Sequence, residues 1–286
     1  MRVLLFLSAS AALFAASYET TGFVQFPPEI TPGAMSSIDV DRQGNLYVLH
    51  RGEQPLAKFN GKGKYIKSWG GGMFKVPHGL RVGPDGNIWT TDNGSHVLRV
   101  FTPDGNLVRT IGEAGVPGND DKHFRSPDDL VFSSNKHLYV ADAGNGRILH
   151  FDADGKLVSQ WGKKGKGPGE FTLAHSMTID KQDRIYVGDR GNNRVQMFDS
   201  SGTFLKELTG LGNPFGVLAV DKDRLITAEG EKHQLFLLDV ATGKVIEELV
   251  ATDRYQLPHL MTLGKRGVVY VSEVDGKRVR ILRRSR

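Results

Sequence analysis

Pro77-His78-Gly79-Leu80-Arg81-Val82 opens a stretch whose order of turns and apolar runs decides the fold. A turn follows at Pro84-Asp85-Gly86-Asn87, then an apolar run ending in an acid, Ile88-Trp89-Thr90-Thr91-Asp92. After a polar turn comes Val97-Leu98-Arg99-Val100-Phe101. The Asp104-Gly105 turn then leads into a last run, Leu107–Ile111. Asp-Gly pairs set tight turns, and short apolar runs between them read as strands. The same order restarts at Pro127, Ala174, Pro214 and Pro258, with a weaker copy near Ser36. The runs that end in a polar residue align at 46–50, 88–92, 138–142, 185–189, 225–229 and 269–273. Units of roughly 40–50 residues with four short strands each are the mark of a propeller blade. The sequence therefore predicts an all-β, six-bladed β-propeller.

The last copy runs out at Arg280-Ile281-Leu282-Arg283, without a fourth strand. Thr21-Gly22-Phe23-Val24-Gln25-Phe26 resembles the fourth strands of other copies, such as Gly202-Thr203-Phe204-Leu205. The N-terminal strand is thus expected to complete the last blade and close the ring, which covers sheet edges. Before it, Arg2, an apolar run at 3–14 and Ala15-Ala16-Ser17 have the plan of a secretory signal peptide. The expected division is a signal peptide at 1–17 and one propeller at 18–286, exported to the periplasm or beyond. No later run is apolar enough to span a membrane.

The chain has no cysteine, which excludes disulfides, thiolate metal sites and a cysteine nucleophile. The formal net charge of +5 is assigned to solvated turns such as Lys163, Lys164 and Lys166 rather than to a nucleic-acid surface. Export argues against nucleic acid as well. A monomer is expected.

In a propeller the first strand of each blade lines the central channel. The residues read as opening those strands are Ser37, His78, Asp128, His175, Phe215 and His259, so histidine occupies every second blade. Three imidazoles would converge on the axis, the donor set of a three-histidine zinc site with a position left open. Iron, cobalt and nickel suit the same ligands. A wet channel lined by histidines and holding no metal is the plainer alternative. Second strands end on the same face, and the residues just after them include Arg51 and Arg190. Two guanidiniums above such a site suit a carboxylate. Ordinary loop ion pairs are the other reading of both.

The repeat resembles the NHL repeat, carried by Asp142-Ala143-Gly144-Asn145-Gly146-Arg147-Ile148 and Asp189-Arg190-Gly191-Asn192-Asn193-Arg194-Val195. Within that group the chain is similar to the peptidyl-α-hydroxyglycine α-amidating lyases. Val48-Leu49-His50-Arg51-Gly52, Val76-Pro77-His78-Gly79-Leu80, Leu173-Ala174-His175-Ser176 and Leu257-Pro258-His259 carry that likeness, with Gly118-Asn119-Asp120-Asp121-Lys122-His123-Phe124. The resemblance implies zinc on His78, His175 and His259, with Arg51 and Arg190 in the active site. It also implies cleavage of an acyl-NH-CH(OH)-carboxylate to an amide and glyoxylate. The partner would then be a small carboxylated substrate or a peptide C-terminus.

Two positions depart from the family pattern. The family's catalytic tyrosine follows the acid of the third blade's second strand, where this chain has Ala143. Its structural calcium uses an aspartate after the third histidine, where this chain has Leu260, although carbonyls at Ile38 and Leu80 match that site. Three classes of function remain open. They are a metal-dependent carbon-nitrogen lyase, a non-catalytic platform for protein, peptide or glycan, and a lactonase-like hydrolase. The histidine set argues against the last.

Overall fold

The structure is a computed structural model that describes residues 18–251 and 253–285; the expected signal peptide at 1–17 lies outside the described residues. The described residues form six four-stranded antiparallel sheets, each a blade. Blades 1 to 5 occupy 35–69, 77–111, 127–161, 174–208 and 214–248 in sequence order. Blade 6 takes its inner three strands from the end of the chain and its outer strand, Tyr18–Phe23, from the beginning. The expected fold class is correct, including the closure of the ring.

The repeated turns produce this order because five of the six second strands end in a buried acid that anchors its blade, blade 1 ending in His50 instead. Asp142 accepts hydrogen bonds from Arg147 Nε on the third strand at 2.8 Å and from the backbone N–H of Arg125 at 2.6 Å. Asp189 does the same with Arg194 Nε at 3.0 Å and the N–H of Thr172 at 3.1 Å. Apolar side chains of these short strands pack between blades. A buried cluster fills each blade-to-blade interface, as with Tyr139, Ile148 and Phe171 of blade 3 and its connection against Met177, Val187 and Phe198 of blade 4. Another joins Ile226 and Leu237 to Val271 and Tyr18 across blades 5 and 6. Burial of apolar surface at these interfaces holds the ring, at about 25 cal/mol per Å².

The closing strand differs in extent from its sequence reading. It spans Tyr18–Phe23 rather than 21–26, and pairs with Arg278–Arg284 through a register break between Thr20 and Gly22. Phe26 has left the sheet and packs edge-on against His50 and Phe59, with centroids 5.7 and 5.0 Å away. Among the described residues no helix is long and apolar enough to cross a membrane.

Candidate functional site

Each first strand has its pairing register broken just past its opening residue, at Met35/Ser37, Pro77/Leu80, Pro127/Asp129, Ala174/Ser176, Pro214/Gly216 and Pro258/Met261. Such bulges re-aim side chains at sheet edges. The residues they set in matching positions are Ser36, His78, Asp128, His175, Phe215 and His259. The first of these is Ser36 and not Ser37, because Met35, like Pro77, pairs with the residue that ends the second strand.

The three histidines come together. One ligand nitrogen from each lies within 4.8 Å of the others, and the ring centroids are 4.8–4.9 Å apart. Each is buried, with exposure of 5 % or less. Each Nδ1 faces a main-chain carbonyl of the next blade. His78 uses Asp128 O at 2.8 Å, His175 uses Phe215 O at 2.8 Å, and His259 uses Ser36 O at 2.6 Å. A carbonyl only accepts, so each Nδ1 carries the proton and each Nε2 keeps its lone pair. Residues without side-chain bulk permit the approach. A Cβ at Gly79 would stand 2.7 Å from Asp128 O, and one at Gly216 would fall on the carbonyl of His259.

Electrostatics keep the imidazoles neutral. Burial lowers the His78 pKa to about 4, helped by Arg51 and Arg190. Burial also holds His175 and His259 well below the usual value, with His78 adding to the effect on both. Neutral imidazole is the metal-binding form. Three inward lone pairs with carbonyl-fixed tautomers fit a transition metal, the outer hydrogen bonds serving to aim the rings.

Both arginines stand at the same mouth. Arg190 lays its guanidinium over the Phe215 ring at 3.6 Å, with Glu231 at 3.8 Å. It does not pair with Asp189, whose carboxylate is taken by Arg194 and Asn192. The Arg51 side chain has no hydrogen-bond or ion-pair partner among the described residues. Its charge is felt at Asp128, His78 and His259.

Two groups escaped the sequence reading. Asp128 was placed in the ring without a role. Its carboxyl is buried, hydrogen-bonded by Asn93 Nδ2 and raised to about 7 by burial, against the pull of Asn93, Arg190, Lys164 and Arg51. Its register with the histidines was the available signal. Lys164 was assigned to a solvated turn. It instead sends its Nζ to Ala143 O at 2.7 Å and Thr172 O at 3.0 Å, beside the slot where the family tyrosine is missing. Nothing local in a Lys-Lys turn announces this.

Other histidines act as staples. The Nδ1 atoms of His96 and His233 accept the N–H of Ser126 at 3.1 Å and of Leu257 at 3.0 Å. Both stand immediately before third strands, with φ of 62° and 63°. His150 lies within its third strand and shares a 2.7 Å hydrogen bond with His137. The connection at 112–126 is tied down by Arg147, which donates to the carbonyls of Asn119, Asp120 and His123.

A family model described as a 6-bladed beta-propeller matches residues 118–235, and one for the NHL repeat matches 74–101. A probable peptidyl-alpha-hydroxyglycine alpha-amidating lyase of Caenorhabditis elegans is 29 % identical over 94 % of this chain and 87 % of its own length. Peptidyl-glycine alpha-amidating monooxygenase B of Xenopus laevis is 29 % identical over 86 % of this chain, which spans 33 % of that protein. A solved streptogramin B lyase shares the fold with a TM-score of 0.68, at 15 % identity, over 94 % of this chain and 98 % of that one. The chain is thus a six-bladed β-propeller with a match to the NHL repeat, similar over most of its length to proteins named as peptidyl-alpha-hydroxyglycine alpha-amidating lyases.

Proposed function

We propose that this chain is an exported, zinc-dependent lyase that cleaves α-hydroxyglycine-type carbinolamides to an amide and glyoxylate. The observation that carries the reading is the set of three inward imidazoles, each fixed by a carbonyl of the neighbouring blade. The likeness to proteins named as amidating lyases supports the reaction class. The charged start, apolar run and small-residue exit at 1–17 support export.

His78, His175 and His259 would hold the zinc. When bound, the ion supplies Lewis acidity that makes a substrate hydroxyl easier to deprotonate. Arg51, without a side-chain partner among the described residues, and Arg190, held over Phe215, bind the substrate carboxylate and oppose its charge. In the reaction the carbinol hydroxyl gives up its proton. The carbon–nitrogen bond then breaks with its electron pair going to nitrogen. Nitrogen regains a proton, leaving the amide and glyoxylate. Asp128 is the buried carboxyl beside the triad, and its carboxyl oxygens are the atoms suited to carry that proton where the family has a tyrosine.

A second reading keeps the propeller as a non-catalytic binding platform, favoured by Ala143 in the tyrosine slot. Two measurements separate them. Elemental mass spectrometry of the mature chain is expected to give about one equivalent of zinc, lost in the His78→Ala/His175→Ala double variant. Glyoxylate release from an α-hydroxyglycine-extended peptide is expected in the wild type and not in His175→Ala. Undiminished release in that variant rejects the assigned site. Zinc without glyoxylate release favours the platform.

A further inference from the structure

Deeper in the channel than the triad, the chain carries a cation of its own. Arg81 sits in the first strand of blade 2, three residues beyond His78. Its Nη1 donates to Leu80 O at 2.8 Å and Ser37 Oγ at 3.4 Å. Its Nη2 donates to Asp129 Oδ2 at 2.7 Å and Met177 O at 3.1 Å. Those acceptors belong to blades 2, 1, 3 and 4, so one guanidinium bridges four of the six blades. Asp129 is fully buried, and its carboxylate also accepts the N–H groups of Met177 and Leu130, both at 2.9 Å. The opposing mouth is a cavity of about 250 Å³ lined in part by Arg81, Asp39 and Thr262.

This arrangement bears on the structural calcium that the family resemblance implies. Calcium takes six to eight oxygen ligands with carboxylates among them. The residues here do not fit it. Leu260 replaces the aspartate, is buried, and gives its own carbonyl to Ser272 Oγ at 2.6 Å. The Leu80 carbonyl is occupied by Arg81. Asp39 spends its oxygens on the N–H of Val40, Thr262 Oγ1 and the N–H of Val82. A divalent ion in this space would also meet the fixed positive charge of Arg81 at short range.

We infer that the Arg81 guanidinium is the resident cation of the lower channel, standing where a calcium ion would otherwise tie the blades, so that the ring coheres without dissolved calcium. An arginine cannot be chelated away and does not lose its proton. The seat is therefore permanent, and its counter-charge is Asp129.

Thermal melting of the full mature chain tests this. The protein is stripped of all metals, then offered calcium alone, zinc alone, or zinc with calcium. The expected result is that calcium leaves Tm unchanged in both comparisons. Arg81→Met is expected to lower Tm by roughly 10 °C, because it leaves the Asp129 charge buried and unpaired. Arg81→Met/Asp129→Leu, which removes both charges, is expected to recover part of that loss. A wild-type Tm that rises with calcium overturns the inference, whether or not the variants fold. So does an Arg81→Met protein that melts with the wild type.

Discussion

A buried imidazole is held neutral or charged by what surrounds it, and His50 isolates that effect away from the triad. It is 1 % exposed, and its Nδ1 accepts the N–H groups of Gly52 at 3.0 Å and Gly33 at 3.3 Å. Burial lowers its pKa to about 4. The unfolded chain binds a proton at this residue below about pH 6.5, while the folded chain does not until about pH 4. Stability from His50 is thus fully present above pH 6.5 and falls by about 3 kcal/mol as pH drops to 4. Asp128 has the opposite sign. Raised to about 7, it keeps a proton in the folded chain that the unfolded chain has lost, so its contribution declines as pH climbs from about 4 to 7. Urea unfolding at a series of pH values is expected to show a shallower acid limb for His50→Asn than for the wild type. Parallel limbs would mean that His50 does not carry the depressed pKa.

In blades 2, 3, 4 and 6 strands are anchored by the acid that ends the second strand and an arginine of the third. Arg147 is central among these. Its Nε meets Asp142, its Nη1 meets Gln160 and the carbonyl of Asn119, and its Nη2 meets the carbonyls of Asp120 and His123. Arg147→Met leaves Asp142 buried with its charge uncompensated, a loss of about 3–5 kcal/mol. Urea unfolding should show that fall in midpoint. Limited proteolysis should show new cleavage within 112–126, while the distant blade 5 stays resistant. These elements were legible in the sequence because their signals are local. The acid, the turn and the arginine lie within a few residues of one another, and five of the six second strands have the limits read from the repeat. The triad was legible for a different reason, since equal register in alternate blades is equal direction in space. Asn93 and Arg81 were not legible, because each acts through partners from other blades that no short stretch of sequence pairs with them, and Lys164 was not because its acceptors are main-chain carbonyls, which carry no side-chain signal. The slip from Ser36 to Ser37 has a local cause, a bulge whose extra residue the apolar pattern does not mark.

For the whole molecule the question is what keeps a ring of sheets closed when no covalent bond joins its ends. The closure is a strand pair, Tyr18–Phe23 against Arg278–Arg284, with Val24 adding an N–H to Val279 O at 2.9 Å. Side chains reinforce it. Arg280, fully buried, donates to Thr20 Oγ1 at 2.9 Å and stacks within 5.0 Å of Phe23, and Tyr18 enters the cluster between blades 5 and 6. Blade 6 supplies His259, whose Nδ1 reaches across the closure to Ser36 O of blade 1. The closing strand lies in the same sheet as the strand that carries His259, separated from it by two strands. A chain starting at residue 24 exposes the edge of Arg278–Arg284 to water and to other chains. It is expected to melt at lower temperature, to form soluble aggregates by light scattering, and to bind zinc more weakly than the full mature chain. A synthetic peptide of residues 18–23 added in trans should restore part of the Tm by occupying the same edge. Unchanged melting and zinc affinity in the shortened chain would mean that blade 6 is complete on three strands and that its histidine is placed without the closure.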